Sequence, residues 1–160
     1  MNIRVGLGFD VHPFGAERPL VLAGVAVDAP GLGGLAGHSD ADVVAHAVAD
    51  ALLGAAGLGD LGSLFPAGEE RYRDADSMVL LGSVADRIAG EGWSVVNVDV
   101  VIVAEQPPLA PHVAAMTTQL SETLSATAVS VKPKRAEGLG SIGRVEGIAA
   151  MAVALLQGAS

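Results

Sequence analysis

Three stretches mark this chain as an α+β protein. Residues Ile3 to His12 alternate between apolar and other residues without a break, which is the period of a strand. Ser39-Asp40-Ala41-Asp42 opens a run of helical spacing that reaches about Gly57. Trp93 to Ala104 is dense in valine and reads as a central strand. The length of 160 residues fits one domain spanning positions 1–160. A hydrophobic share of 51% supplies a core, and with only 3% aromatic residues that core must be built from Val, Leu, Ile and Ala. Cysteine is absent, so disulfides and thiolate metal sites are excluded and any metal must sit on His, Asp or Glu.

The elements follow in chain order. In the first strand Ile3, Val5, Leu7, Phe9 and Val11 form the apolar row, expected to be the buried face. Pro19 to Val27 reads as a short strand or hairpin arm, and glycine-rich Ala29 to Gly37 as a loop. Ser39 is the candidate N-cap of the first helix, with Asp42 at N3 in the style of a capping box. Leu58 to Asp76 is a long connection, and loops of that length are often functional. Ser77 is the candidate cap of a second helix ending near Gly90. Gln106-Pro107-Pro108 stops the central strand, Pro111 to Leu124 reads as a third helix, and Thr127 to Lys132 as a strand. Gly138, Gly140 and Gly143 suit a tight turn. Ile148 to Leu156 is apolar throughout, and periodicity does not separate helix from buried strand there.

Chemistry gathers in two places. Asp10 and His12 sit on the same side of the first strand, about 6.5–7 Å apart. A carboxylate and an imidazole on one rigid face can share a metal such as Zn²⁺. His46 lies on the first helix with Asp42 and Asp50 one turn to either side, as candidate partners to orient its ring. It is the third candidate ligand. The second place is cationic. The net charge is −9, yet Lys132, Lys134, Arg135 and Arg144 fall close together, which points to an anion bound there. The acidic balance argues against general nucleic-acid binding. The start Met1-Asn2-Ile3-Arg4 has no long apolar run of the signal-peptide kind, and the run Ile148 to Leu156 is too short to span a bilayer, so a cytoplasmic location is expected.

Seven motifs in register carry a family resemblance. They are Gly8-Phe9-Asp10-Val11-His12; Ala36-Gly37-His38-Ser39-Asp40-Ala41-Asp42 with His46; and Asp50-Ala51-Leu52-Leu53-Gly54-Ala55. Gly59-Asp60-Leu61-Gly62 with Phe65-Pro66, Asp74-Ala75-Asp76-Ser77, Asn97-Val98-Asp99 and Gly143-Arg144-x-Glu146-Gly147 complete them. Together they resemble the 2-C-methyl-D-erythritol 2,4-cyclodiphosphate synthase family over the whole chain.

The resemblance implies a mixed four-stranded sheet with helices on one face, and a homotrimer whose sheets surround the three-fold axis and whose active sites lie between subunits. It makes Ile148 to Leu156 a strand, hairpin-paired with Thr127 to Lys132. It implies cyclisation of 4-diphosphocytidyl-2-C-methyl-D-erythritol 2-phosphate with release of CMP, a step of non-mevalonate isoprenoid synthesis. Zn²⁺, one per chain, is implied on Asp10, His12 and His46, and Mg²⁺ or Mn²⁺ on the substrate diphosphate through Glu137. His38 is implied to stabilise the transition state, at a helix N-terminus that favours phosphate. Asp60 is implied to meet the ribose, and the loop Ala104 to Ala110, with Pro108 and Leu109, to cradle cytosine. Val11, Ser39, Leu61, Gly62, Phe65, Ala136, Ser141 and Arg144 complete the implied substrate contacts.

Three places depart from the family pattern. Lys134-Arg135-Ala136 replaces a threonine-rich tract before Glu137, Pro108 replaces a lysine, and Ser141 and Val145 stand where an aromatic residue and a glycine are usual. Arg135 or Lys134 is therefore expected to act on phosphate in place of threonine, since Arg grips phosphate with a bidentate fork. The altered loop also leaves open a catalytically weakened trimer that keeps the zinc fold and binds a phosphate or isoprenoid ligand. A metal-dependent phosphatase fits the zinc set less well.

Overall fold

Strand β1 (Ile3–Ala16) organises the molecule, with one inversion of the expected burial. In this computed structural model, which describes residues 2–126 and 128–159, the apolar row of β1 faces outward. Val5 and Leu7 are 67% and 69% exposed, and Ile3, Phe9 and Val11 are about half exposed. The opposite row, Gly6, Gly8, Asp10 and His12, faces helix α1 (Val43–Ala56). The reason is closeness. A Cβ at Gly6 or Gly8 would stand 1.9 Å from the carbonyl oxygen of Ala51 or Ala47. Only glycine admits a helix at that distance.

The hairpin β2 (Leu20–Leu22) and β3 (Val25–Val27) forms its own two-stranded sheet. Strand β4 (Gly34–Leu35) pairs with the end of β1. Helix α1 begins at Val43 with Asp42, not Ser39, as N-cap: its carboxylate accepts from Val44 N and Ala45 N, each at 3.1 Å. The same carboxylate takes the N–H groups of Ala23 (2.8 Å) and Gly24 (2.7 Å), so it also ties the β2–β3 turn to the helix. Asp42 is wholly buried, and burial pushes its carboxyl up to about 6 against the pull of those N–H groups. The helix ends at Gly57 in the left-handed conformation, φ 75°.

The connection that follows is not structureless. It holds α2 (Leu61–Leu64), capped by Asp60, and a single 3₁₀ turn at Glu70–Tyr72. Helix α3 (Ser77–Gly90) is capped by Asp76 rather than Ser77. Then come β5 (Trp93–Val103), α4 (Val113–Leu124), β6 (Ala128–Lys134), the one-turn α5 (Gly140–Gly143) and β7 (Gly147–Gly158). Thr127, the expected start of β6, lies outside the described residues.

The main sheet has five strands, not four, in the order β4-β1-β7-β5-β6. Strand β7 is a strand as expected, but its partners are β1 and β5, both antiparallel. The expected hairpin with β6 does not form. Helix α4 carries the chain from β5 back across the sheet, and a crossover of that kind sets β6 parallel to β5 on its far side. Ile148, Ala150, Ala152, Ala154 and Leu156 of β7 and Val98, Val100 and Ile102 of β5 are buried under the helices. Met151 and Val153 continue the exposed apolar row begun by β1, because Phe9 is opposite Met151 and Leu7 opposite Val153. The helices thus cover one face, and the other face carries an uncovered apolar stripe.

Candidate functional site

Asp10 and His12 occupy the helix-facing row of β1 just beyond the two glycines, and His46 comes from the first turns of α1 directly above them. Close strand–helix packing therefore brings the three together. Asp10 Oδ2 lies 3.0 Å from His12 Nε2 and 2.9 Å from His46 Nδ1. His12 donates its other nitrogen, Nδ1–H, to the Ala36 carbonyl at 2.8 Å, which fixes the ring with Nε2 turned to the centre. All three ligand atoms fall within 4.8 Å of one another. Tetrahedral Zn²⁺ with bonds of 2.0–2.1 Å places its ligand atoms about 3.3 Å apart, close to the two separations measured from Asp10 Oδ2. Two imidazoles and a carboxylate are also a donor set zinc accepts.

The electrostatics agree. Burial alone would raise the Asp10 carboxyl, but hydrogen bonds from His12 and His46 outweigh it and hold Asp10 well below the usual carboxylate range. The Asp10 hydrogen bond in turn raises His12 above its ordinary value, against the effect of burial.

The expected orienting partners of His46 are not its helical neighbours. Asp42 is turned to the cap, and Asp50 accepts the Leu61 N–H at 2.7 Å, anchoring α2 to α1. His46 Nε2 instead meets two hydroxyls, Ser77 Oγ at 2.9 Å and Ser39 Oγ at 3.0 Å. Helical spacing placed the carboxylates on roughly the right face but said nothing of α3, which brings Ser77 in from the far end of the long connection. Arg18 was also not legible: its guanidinium donates to the Ser39 carbonyl and to the Gly37 carbonyl (3.1 Å), bracing the segment that carries His38.

A cavity of about 200 Å³ opens beside the triad, lined by His12, His38, Ser39, His46, Leu61, Gly62 and Phe65 among others. His38 donates Nε2–H to the Glu69 carbonyl at 3.1 Å. The first amides of α1 are taken up by Asp42, so His38-Ser39 does not present an open helix N-terminus. Asp60 caps α2 through Ser63 N at 2.7 Å. A second cavity of about 200 Å³ runs from Val11 and His12 to Ser141 and Glu146.

The cationic loop lies elsewhere. Ala104, Pro108, Leu109 and Ala110 enclose a cavity of about 290 Å³ with Glu105, Lys134 and Arg135. It shares no lining residue with the triad cavity. The grouped cations are also largely spoken for. Lys132 pairs with Asp99 at 2.5 Å, Arg144 with Glu146 at 2.6 Å, and Arg135 forks onto Glu105. Glu105 takes the Gly138 N–H as well, at 3.4 Å. Of the four, only Lys134 makes no ion pair among the described residues. Ala136 and Glu137 form the turn after β6, with Glu137 at φ 53°. Sequence reading found the cations but not the acids that answer them, because Asp99 and Glu105 are some thirty residues away and meet them only through the β5–β6 pairing.

Comparison with known proteins places this arrangement. The family model described as YgbB family matches residues 3–157. The chain belongs to the YgbB family. Among YgbB relatives, the 2-C-methyl-D-erythritol 2,4-cyclodiphosphate synthase of Bordetella bronchiseptica is 52% identical, with 98% of each chain covered. The synthase of Salinibacter ruber is 51% identical over 98% of this chain and 100% of its own. Of solved structures, the bifunctional IspDF from Campylobacter jejuni superposes with a TM-score of 0.94 at 41% identity, covering 99% of this chain and 43% of that longer one. A 2C-methyl-D-erythritol-2,4-cyclodiphosphate synthase in its CDP-bound form gives 0.87 at 35% identity, over 96% and 100% of the two chains. No helix among the described residues is long and apolar enough to cross a membrane.

Proposed function

We propose that this YgbB chain converts 4-diphosphocytidyl-2-C-methyl-D-erythritol 2-phosphate to 2-C-methyl-D-erythritol 2,4-cyclodiphosphate and CMP, as a metal-dependent phosphorus–oxygen lyase of isoprenoid precursor synthesis. The observation that carries the proposal is the convergence of Asp10, His12 and His46 beside His38, in a chain matched end to end by synthases of that name.

In the reaction an oxygen of the 2-phosphate attacks the β-phosphorus of the same molecule. The bond from that phosphorus to the oxygen bridging the α-phosphorus breaks, and the bridging oxygen leaves on CMP. The nucleophile is already an anion near pH 7, so no side chain has to take a proton. What remains is to hold two mutually repelling anions in line and to balance their charge. Asp10 Oδ2, His12 Nε2 and His46 Nδ1 would hold Zn²⁺, which would supply positive charge against the phosphate groups. Glu137 would hold Mg²⁺ or Mn²⁺, a hard cation suited to a carboxylate, which would supply charge against the diphosphate. His38, its ring held by the Glu69 carbonyl, steadies the transferring phosphoryl group. Asp60 receives the ribose, with Leu61, Gly62 and Phe65 around it. The backbone from Ala104 to Ala110 receives cytosine, and Lys134 supplies the cation at that end. Arg135 enters in a changed role: matched by Glu105, it ties the cytosine loop to the turn bearing Glu137.

The active form in this proposal is a homotrimer. Two observations support it. The exposed row of Val5, Leu7, Phe9, Val11, Met151 and Val153 is a contiguous apolar stripe of a kind that soluble proteins seldom leave bare. The cytosine cavity and the triad cavity are separate within one chain, as a site shared between neighbours requires.

The test is direct. Zinc- and magnesium-supplied protein is incubated with the substrate, CMP is quantified and the cyclic diphosphate is followed by phosphorus NMR. Equimolar CMP and cyclic product are expected. Release of inorganic phosphate instead, or no conversion by zinc-loaded protein, would overturn the assignment.

A further inference from the structure

Ser77 and Asp40 have no part in the reaction described above, yet they sit at the end of a partly buried chain of hydrogen bonds that reaches the triad. Asp40 Oδ2 accepts the Ser77 N–H at 3.0 Å, and Asp40 Oδ1 accepts the Ser77 hydroxyl in a short contact. Ser77 Oγ lies 2.9 Å from His46 Nε2. Ser77 is 1% exposed and Ser39 8%, so the two hydroxyls are withdrawn from water, while Asp40 at the outer end is only partly buried.

The direction of the protons follows from what each group can do. An ionised carboxylate only accepts. Ser77 has one hydroxyl proton, and Asp40 takes it. Towards His46 the Ser77 oxygen therefore offers lone pairs alone, and the bond at 2.9 Å exists only if His46 Nε2 carries the proton. Ser39 does not undo this. Ser39 Oγ also reaches Nε2, at 3.0 Å; with Nε2 protonated it accepts there and from the Ala41 N–H at 3.2 Å, and its own proton has the Ser77 oxygen 3.3 Å away. With a metal ion bound between His46 and Asp10, a proton kept on Nε2 leaves the lone pair on Nδ1, the atom that lies 2.9 Å from Asp10 Oδ2 and is its hydrogen-bond partner without metal.

We propose that Asp40 and Ser77 are positioning residues that lock His46 in its Nε2–H form and so present Nδ1 to the metal. This rests on the zinc reading of the triad. The arrangement also explains why α3 starts where it does. The cap is handed to Asp76, and the Ser77 hydroxyl is left free for the relay.

The test compares wild type, Ser77→Ala and Asp40→Asn by zinc affinity, measured by competition with a chromophoric chelator, and by NMR of the zinc-loaded protein labelled with ¹⁵N-histidine. Loss of a partner that orients a metal-bound histidine weakens metal binding roughly 10- to 100-fold. Ser77→Ala is expected to show that loss, with an unchanged circular-dichroism spectrum. Asp40→Asn keeps Ser77 in place but lets an amide N–H face its oxygen, freeing the Ser77 proton to turn on His46. It is expected to weaken zinc as well, which a mere packing role for Ser77 would not produce. In zinc-loaded wild type a slowly exchanging Nε2–H of His46 is expected, and in Ser77→Ala a fast one. Ser77→Ala protein with wild-type zinc affinity, or zinc bound through His46 Nε2, would overturn the relay and leave the zinc reading intact. Wild-type protein that takes up no zinc would overturn both.

Discussion

In the proposed reaction the triad and the turn after β6 share one task, holding phosphate, and they are built for it in opposite ways. The triad is built on packed elements. Each of its side chains is fixed by a neighbour in the same chain: His12 by Ala36, His46 by Ser77 and Ser39, Asp10 by both histidines. The turn carries more formal charge, but most of it is answered by acids of the same chain, and Arg135 is 64% exposed. Charge counted along a sequence is therefore a poor measure of charge available to a ligand. The centre with the smaller formal charge is the better-prepared one, because its geometry is paid for by the fold.

The sharpest way to break this contrast is to remove a triad ligand. His46→Ala deletes one of three metal ligands while leaving a small residue that α1 accommodates. A metal worth several kcal/mol at the transition state makes the expected loss in kcat/KM about 100-fold or more. Metal analysis should find about one zinc per chain in wild type and little in the variant, with the far-ultraviolet spectrum unchanged. Activity within ten-fold of wild type would remove the triad from the mechanism.

A substitution far from both centres should act nearly as strongly. Leu7→Glu places a charge in the exposed apolar row, at a position whose side chain touches neither cavity. Light scattering is expected to show trimer for wild type and monomer for the variant. Activity should fall with the trimer while zinc content stays, since the triad belongs to one chain and the proposed complete site to two. An active monomer would show that one chain holds everything it needs.

What the sequence showed and what it hid divide along the same line. Period two in Ile3 to His12 placed Asp10 and His12 on one side, and helical spacing placed His46 within reach, so the triad was legible. The burial of β1 was read backwards. Alternation reports two faces, not which one meets the core, and Gly6 and Gly8 decide that only once a helix is known to press on them. Ser39 and Ser77 were read as caps because serine before a helix usually is one. Here aspartates at 42 and 76 take the caps and leave both hydroxyls for His46. The resemblance carried the helices-on-one-face arrangement, but the hairpin expected from it misplaced β6, because strand pairing is a property of the crossover and not of the strand's own residues.

The contrast also has a pH signature. The Asp10 hydrogen bond raises His12 above its unfolded value near 6.5, so its stabilisation of metal-free protein is full below that value and is lost as pH rises through the raised one. Asp10 is lowered, so its contribution is present above about 3.8 and is lost only as pH falls towards its depressed value. Zinc requires His12 without its proton, so binding weakens about ten-fold per pH unit below the His12 value. Asp42, pushed up to about 6, titrates with and without zinc and cancels in the difference. Calorimetry of metal-free and zinc-loaded protein should therefore show a gap in Tm that widens from pH 5.5 to pH 8. A gap that stays constant would mean that no proton leaves the triad when zinc enters.

The smallest effects are expected in the turn, and there the order matters more than the size. If sequence charge alone governed, Arg135→Ala would cost most, because its fork suits phosphate. In the structure that fork is spent on Glu105, and Lys134 is the cation left over in the same cavity. Lys134→Ala is expected to raise KM about ten-fold with kcat nearly unchanged, the scale of a charged hydrogen bond to bound substrate. Arg135→Ala should cost no more than about five-fold, the range an exposed ion pair covers. Glu105→Gln should fall in the same range. The double variant should match either single one, because both remove one tie between the loop of residues 104–110 and the turn. Raising the salt concentration should shrink the Lys134 effect, since its partner is an anionic substrate in an open cavity. The reverse order, with Arg135→Ala the more damaging and Glu105→Gln without effect, would show that Arg135 leaves Glu105 when substrate binds and grips phosphate itself.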